Sequence, residues 1–215
     1  MTHATLSIIR EEHAALSAML RSIPLLLAQH QRQGTLPDFA VLRAMFFYVD
    51  EFPEKRHHRK ETELLFPKLR ARTPLANGVL DQLDRDHARG EKCIRDLEHA
   101  LLGFEMMGEP RRQAFEEAAQ HYVSFYLALM AMEEQHILPL AEKVLTDEDW
   151  LELDSAFAAR CDLLTGHSPE ADYRALFASS ASCRNRSGLA SPVPLRLAPS
   201  RCLLSLVEFD REPTQ

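Results

Sequence analysis

Four long stretches of the chain place apolar residues three and four positions apart, and only a few residues separate each stretch from the next. That spacing puts the apolar residues on one face of a helix. The first stretch, about 5–31, carries Ile9, Leu16, Leu20, Ile23 and Leu27 and stops near Gly34. The second, about 37–69, opens on Pro37 at a first-turn position, where a missing N–H costs nothing, and contains Pro53, which is expected to kink it. The third, about 75–107, follows Thr73-Pro74 and closes at Gly108, and the fourth runs over about 110–145 from Pro110. A short fifth helix, about 147–160, starts at the capping signal "TDED". Long helices joined by short links must run antiparallel to their neighbours, so the expected fold is all-α: an up-down-up-down four-helix bundle with a short fifth helix.

Composition narrows the function. A net charge of −7 argues against nucleic acid as a partner, because phosphate binding needs a basic face. No uncharged apolar run is long enough to span a membrane, and Arg10, Glu11 and Glu12 interrupt the N-terminal apolar run, which argues against a signal peptide. Cys93, Cys161, Cys183 and Cys202 form no CxxC pair, as expected of reduced thiols in a cytoplasmic protein. From residue 178 onward seven serines, four prolines and five arginines replace the helical pattern. The expected organisation is therefore a bundle domain over 1–177 and a low-complexity, disordered tail over 178–215.

Polar residues interrupt the apolar stripes at one place on each helix. His13 lies on the stripe of Ile9, Leu16 and Leu20, and His87 on that of Leu80, Leu83, Ile94 and Leu97, with Glu91 one turn further on. In "FYLALMAMEEQHILPLAE", Glu133 falls in line with Tyr122, Tyr126, Leu129, Ile137 and Leu140. On the second helix His57 and Glu61 are four apart and share a face. A single inward histidine is more often a hydrogen-bonded core residue than a ligand. An inward carboxylate needs a cation, a proton or a partner, since leaving it unpaired costs several kcal/mol. Four helices that each aim a His or Glu inward point to a metal, and imidazole with carboxylate suits iron, manganese or zinc.

With "EEH" on the first helix, "HHRKETELLFPKLRARTP" on the second, "LDRDHARGEKCIRDLEHALLG" on the third and "FYLALMAMEEQHILPLAE" on the fourth, residues 5–177 resemble a hemerythrin-like (HHE cation-binding) protein of bacterial type. The resemblance implies a four-helix bundle around a non-haem, typically di-iron, site. Carried onto this chain, it implies His13, His57, Glu61, His87 and Glu133 as metal ligands, with Glu61 and Glu133 bridging. Glu91, one turn after His87, stands where some members place a further ligand. His58 and Glu134 sit off the ligand face and are expected to support the ligands or to take no part.

The chain departs from the family pattern where H-x3-E on the fourth helix would put a histidine at 129; it has Leu129. Three readings follow: a single metal or a lopsided pair, compensation by His136 at +3 from Glu133, or a degenerate site. Glu54-x-x-His57 and Glu133-x-x-His136 also fit the motif of ferritin-like carboxylate proteins, but that architecture wants glutamates on the first and third helices and a long crossover. The expected function is binding or sensing of dioxygen, nitric oxide, peroxide or iron at a non-haem iron site of one or two ions, rather than substrate conversion. Phe46, Phe47, Phe66 and Tyr126 are expected to keep that site dry. The alternatives are an interaction bundle with a decayed site and, less favoured, a di-iron oxidase.

Overall fold

The structure, a computed structural model, describes residues 3–158, apart from the side chains of residues 52–54. Every regular element among the described residues is helical. Helix α1 spans Ala4–Gln33 and ends at Gly34, whose φ of 63° is the left-handed conformation that glycine adopts at least strain. The second rod, α2, is built of five contiguous pieces: α-helical Phe39–Val49, π-helical Asp50–His57, α-helical His58–Lys60, π-helical Glu61–Leu65 and α-helical Phe66–Arg72. Helix α3 is Asn77–Met107, closed by Gly108. The fourth rod, α4, joins α-helical Arg112–Met132, π-helical Glu133–Ile137 and α-helical Leu138–Val144, and α5 is Asp147–Ala158.

The expected bundle is present, with local corrections. Pro37 precedes the second helix instead of occupying its first turn; Asp38 is the cap and accepts hydrogen bonds from the N–H groups of Ala40 and Val41. Position 53 lies within a π-helical stretch, a wider turn that accommodates a proline. At α5 the cap is reciprocal: Asp149 Oδ2 accepts from the Thr146 N–H, and the Asp149 N–H donates to Thr146 Oγ1. The sequence 164–177, the tail over 178–215, His167 and three of the four cysteines lie outside the described residues.

The four rods close a ring, each packed against the next, α1 on α2, α2 on α3, α3 on α4 and α4 on α1. Their apolar residues do not form one core. One cluster holds Leu16, Leu20, Ile23, Phe46, Ile94, Phe104, Phe115 and Tyr122. A second holds Leu6, Ile9, Leu65, Phe66, Leu83, Ile137 and, from α5, Trp150, Leu153 and Phe157. Along α1, α2 and α3 the boundary between the two clusters falls at a polar residue: His13 between Ile9 and Leu16, His57 and Glu61 between Val49 and Leu65, His87 between Leu83 and Ile94; on α4 Leu129 already belongs to the second cluster, and Glu133 lies between Met130 and Ile137. A buried polar layer therefore cuts the bundle across its middle. His3 stacks on Trp150 with ring centroids 4.1 Å apart and helps fix α5 over the second, lower cluster.

Candidate metal centre

The polar layer brings His13, His57, Glu61, His87 and Glu133 together, all buried; Glu61 is 1% exposed and Glu133 0%. Two groups of donor atoms result, each within 4.8 Å: His13 with His57 and Glu61, and Glu61 with His87 and Glu133. Each glutamate reaches both sides of the layer. Glu61 Oε1 lies 3.3 Å from His57 Nε2, while its Oε2 lies 3.8 Å from His87 Nε2. Glu133 Oε1 lies 3.1 Å from His87 Nε2, and its Oε2 lies 3.4 Å from His13 Nε2. Neither Oε2 makes a hydrogen bond, although both are buried. Two carboxylates that each span two groups of imidazoles, with oxygens left unsatisfied, are a donor set suited to cations.

The α2 and α4 rods carry their glutamates in the same local structure. Glu61 and Glu133 each open a π-helical turn, and in each the carbonyl of the glutamate accepts from the residue five positions on, Phe66 and Leu138. That acceptor bond ends one residue before a proline, Pro67 or Pro139, which has no N–H to give. The wide turn takes up the proline without breaking the rod and turns the glutamate inward.

The ligand imidazoles are held from behind by side chains of neighbouring rods. His13 Nδ1 donates to Glu134 Oε1 at 2.9 Å, and His57 Nδ1 donates to Glu12 Oε2 at 2.6 Å. Thr62 Oγ1 lies 3.0 Å from His87 Nδ1. Each of these supports is the sequence neighbour of an inward residue, and together they run from α4 to α1, α1 to α2 and α2 to α3. With the Nδ1 atoms of His13 and His57 committed to carboxylates, their Nε2 atoms face each other at 3.1 Å. Two lone pairs cannot converge there without a cation or a proton between them. The protein without metal supplies a proton: burial alone would depress His57, but Glu61 and Glu12 outweigh it and hold its pKa well above the ordinary histidine value. Burial and the neighbouring His57 push His13 down. Glu133 moves well up, through burial and then the facing Glu61 carboxylate. Burial acts on Glu61 in the same sense, but His57 reverses it and keeps the group ionised.

Other candidates fall outside this cluster. The side chain of Glu91 is 56% exposed, within 3.9 Å of Arg95, because the buried stripe of α3 steps from His87 to Gly90 and Ile94. His136 is exposed on the π-helical turn of α4, so it does not compensate for Leu129, which is buried in the lower apolar cluster at 3% exposure. Phe47 is 51% exposed and does not shield the layer, whereas Phe66 stacks on His87 at 5.7 Å. Sequence reasoning gave no role to Glu12 or Thr62, and it set His58 aside as off the ligand face. His58 is buried, stacks on His87 with centroids 3.9 Å apart, and lies 3.2 Å from the Tyr126 hydroxyl.

The comparisons with known proteins agree with this geometry. The model of the hemerythrin HHE cation-binding domain matches residues 4–141, a span that contains all four rods up to the last turn of α4 and every donor of the polar layer. No curated protein and no solved structure matches the chain significantly. The family model covers more than half of the chain, and the chain belongs to the hemerythrin HHE cation-binding domain family.

Proposed function

We propose that the protein binds iron without haem, in the layer formed by His13, His57, Glu61, His87 and Glu133, and that it binds or senses a small ligand there: dioxygen, nitric oxide, peroxide or the iron supply itself. The observation that carries this reading is the pair of buried glutamates, each offering one oxygen to either side of the layer while its Oε2 makes no hydrogen bond. Iron would supply redox and ligand-binding chemistry at that place; zinc or manganese would be held by the same donors. The chain's own part is to orient and exclude. Glu12 and Glu134 fix the ring tautomers of His57 and His13, and Phe66 with the two apolar clusters keeps water from the layer. Ligand binding fits better than substrate conversion, because no nucleophile–base pair, phosphate loop or dinucleotide fingerprint stands in the sequence. The scattered cysteines favour a cytoplasmic location. Metal analysis of protein purified from iron-supplied cells is the test: iron should remain after extensive washing, and a washed sample with far less metal than protein would sink the reading.

A second reading has one observation behind it. Leu129 places a hydrocarbon in line with Glu133 on α4, where His57 stands relative to Glu61 on α2. On that reading the bundle is an interaction module whose metal site has decayed, and His57→Ala and Glu61→Ala would leave the melting temperature with iron unchanged.

A further inference from the structure

The donors of the layer are presented in two ways. His13 and His87 stand within α-helix, in Ala4–Gln33 and Asn77–Met107. Glu61 and Glu133 each open a π-helical turn, and the sequence repeats there: Glu61-x5-Pro67 in "ETELLFP" and Glu133-x5-Pro139 in "EEQHILP". The residue after each glutamate repeats its role as well. Thr62 Oγ1 lies 3.0 Å from His87 Nδ1, and Glu134 Oε1 lies 2.9 Å from His13 Nδ1. Each wide turn therefore delivers two sequence neighbours, one to the layer and one to the back of a histidine on the adjoining rod.

In an α-helix a proline has no N–H to give, and its ring collides with the carbonyl four residues earlier, which is that of Glu63 for Pro67 and of Gln135 for Pro139. A turn with one more residue removes the collision. Next to the prolines the rods are anchored, because Phe66 and Leu69 on α2 and Leu138 and Ala141 on α4 are buried in the lower cluster. With that part fixed, loss of the extra residue would rotate what precedes it by about 100° around the rod axis. Both glutamates would then leave the layer, and Thr62 and Glu134 would leave their histidines. We propose that Pro67 and Pro139 are positioning residues for the metal layer: each forbids the α-helical register over the turn before it, and so aims one glutamate inward and the next residue at a histidine of the adjoining rod. The effect on metal rests on the metal-binding reading above; the effect on register does not.

The test uses Pro67→Ala and Pro139→Ala in the full chain, each of which returns an N–H without touching a donor. Crystal structures of the metal-free variants read the register: the Glu61 carbonyl should accept from Leu65 in the first, and the Glu133 carbonyl from Ile137 in the second, four residues on instead of five. Anaerobic titration with ferrous iron against a competing chelator should show an affinity roughly 10–100-fold below that of the parent. The melting temperature of the metal-free variants should be no lower than the parent's. If one variant does not fold, the other decides. π-helical turns that persist in the variants, or parent affinity after a change of register, overturn the inference. So does a fall of affinity and metal-free melting temperature together, the mark of a merely structural role. A parent chain that holds no iron defeats the metal-binding reading, and the register in the metal-free variants still decides this one.

Discussion

Glu133 shows how much the fold gives up at a single position. It is fully buried, and burial together with the Glu61 carboxylate drives its pKa well up. A carboxyl whose pKa is raised on folding stabilises the native state below its unfolded pKa and loses that contribution as pH rises through the folded value. Glutamine has the same shape and no charge to lose. Glu133→Gln should therefore make the metal-free protein more stable by about 1–3 kcal/mol at pH 8. The gain should shrink as pH falls toward the ordinary carboxyl range, followed by urea unfolding at several pH values, and the variant should lose metal-dependent stabilisation. The raised pKa of His57 and of Glu133 favours their protonated forms without metal, so cation binding should release protons and the apparent affinity should rise with pH. Calorimetry in two buffers of different ionisation heat reads that release directly. Replacing Glu12 with glutamine weakens the support of His57 Nδ1 and should reduce metal affinity roughly 10–100-fold while the helix content stays the same.

At the scale of elements, the periodicity that located the rods is also what hid part of the site. A helical wheel assumes one constant turn, and on that assumption the boundaries near Gly34, Gly108 and Thr146 and the inward positions His13, His87 and Glu133 could be read from sequence alone. Glu91, read as joining the buried stripe one turn after His87, is exposed instead, since a stripe that alternates steps of three and four admits either Gly90 or Glu91 there, and packing selected glycine. The burial of His58 against His87 was not legible, because α2 contains two π-helical stretches that break the constant turn. Two supports were missed for another reason: Glu12 and Thr62 act across rods, and only the folded ring brings them to their histidines, whereas Glu134, expected to support a ligand or to take no part, holds His13. The cap of α5 was legible because it is local. Asp149 joins it to α2 through Arg72, at 2.7 Å, and that guanidinium holds the carboxyl well below the usual range. Asp149→Ala removes the cap and the link together and should destabilise the domain by roughly 1–2 kcal/mol, measured by thermal unfolding.

For the whole molecule, a layer of buried ionisable groups separates most of the two apolar clusters, which touch directly beside it through Phe125 on α4. Hydrophobic residues of similar size in that layer would join the clusters into one core, and buried ionisable groups replaced in this way often leave a protein more stable. The layer is therefore explained by what it binds. One donor group joins α1 to α2 and the other joins α2 to α3 and α4, with Glu61 common to both, so cations held there would tie the rods at mid-height and their binding energy would add to the stability of the folded ring. The size of that contribution follows from mass action: about 2.7 kcal/mol when the free metal is 100 times its dissociation constant. The melting temperature should accordingly rise with iron and fall to a floor with a strong chelator. Glu61→Ala should sit at its own floor whether or not iron is present, because Glu61 belongs to both donor groups. His13→Ala removes one donor from one group only and should keep part of the rise. Equal shifts in these two variants would mean that the glutamate does not join the two sides of the layer.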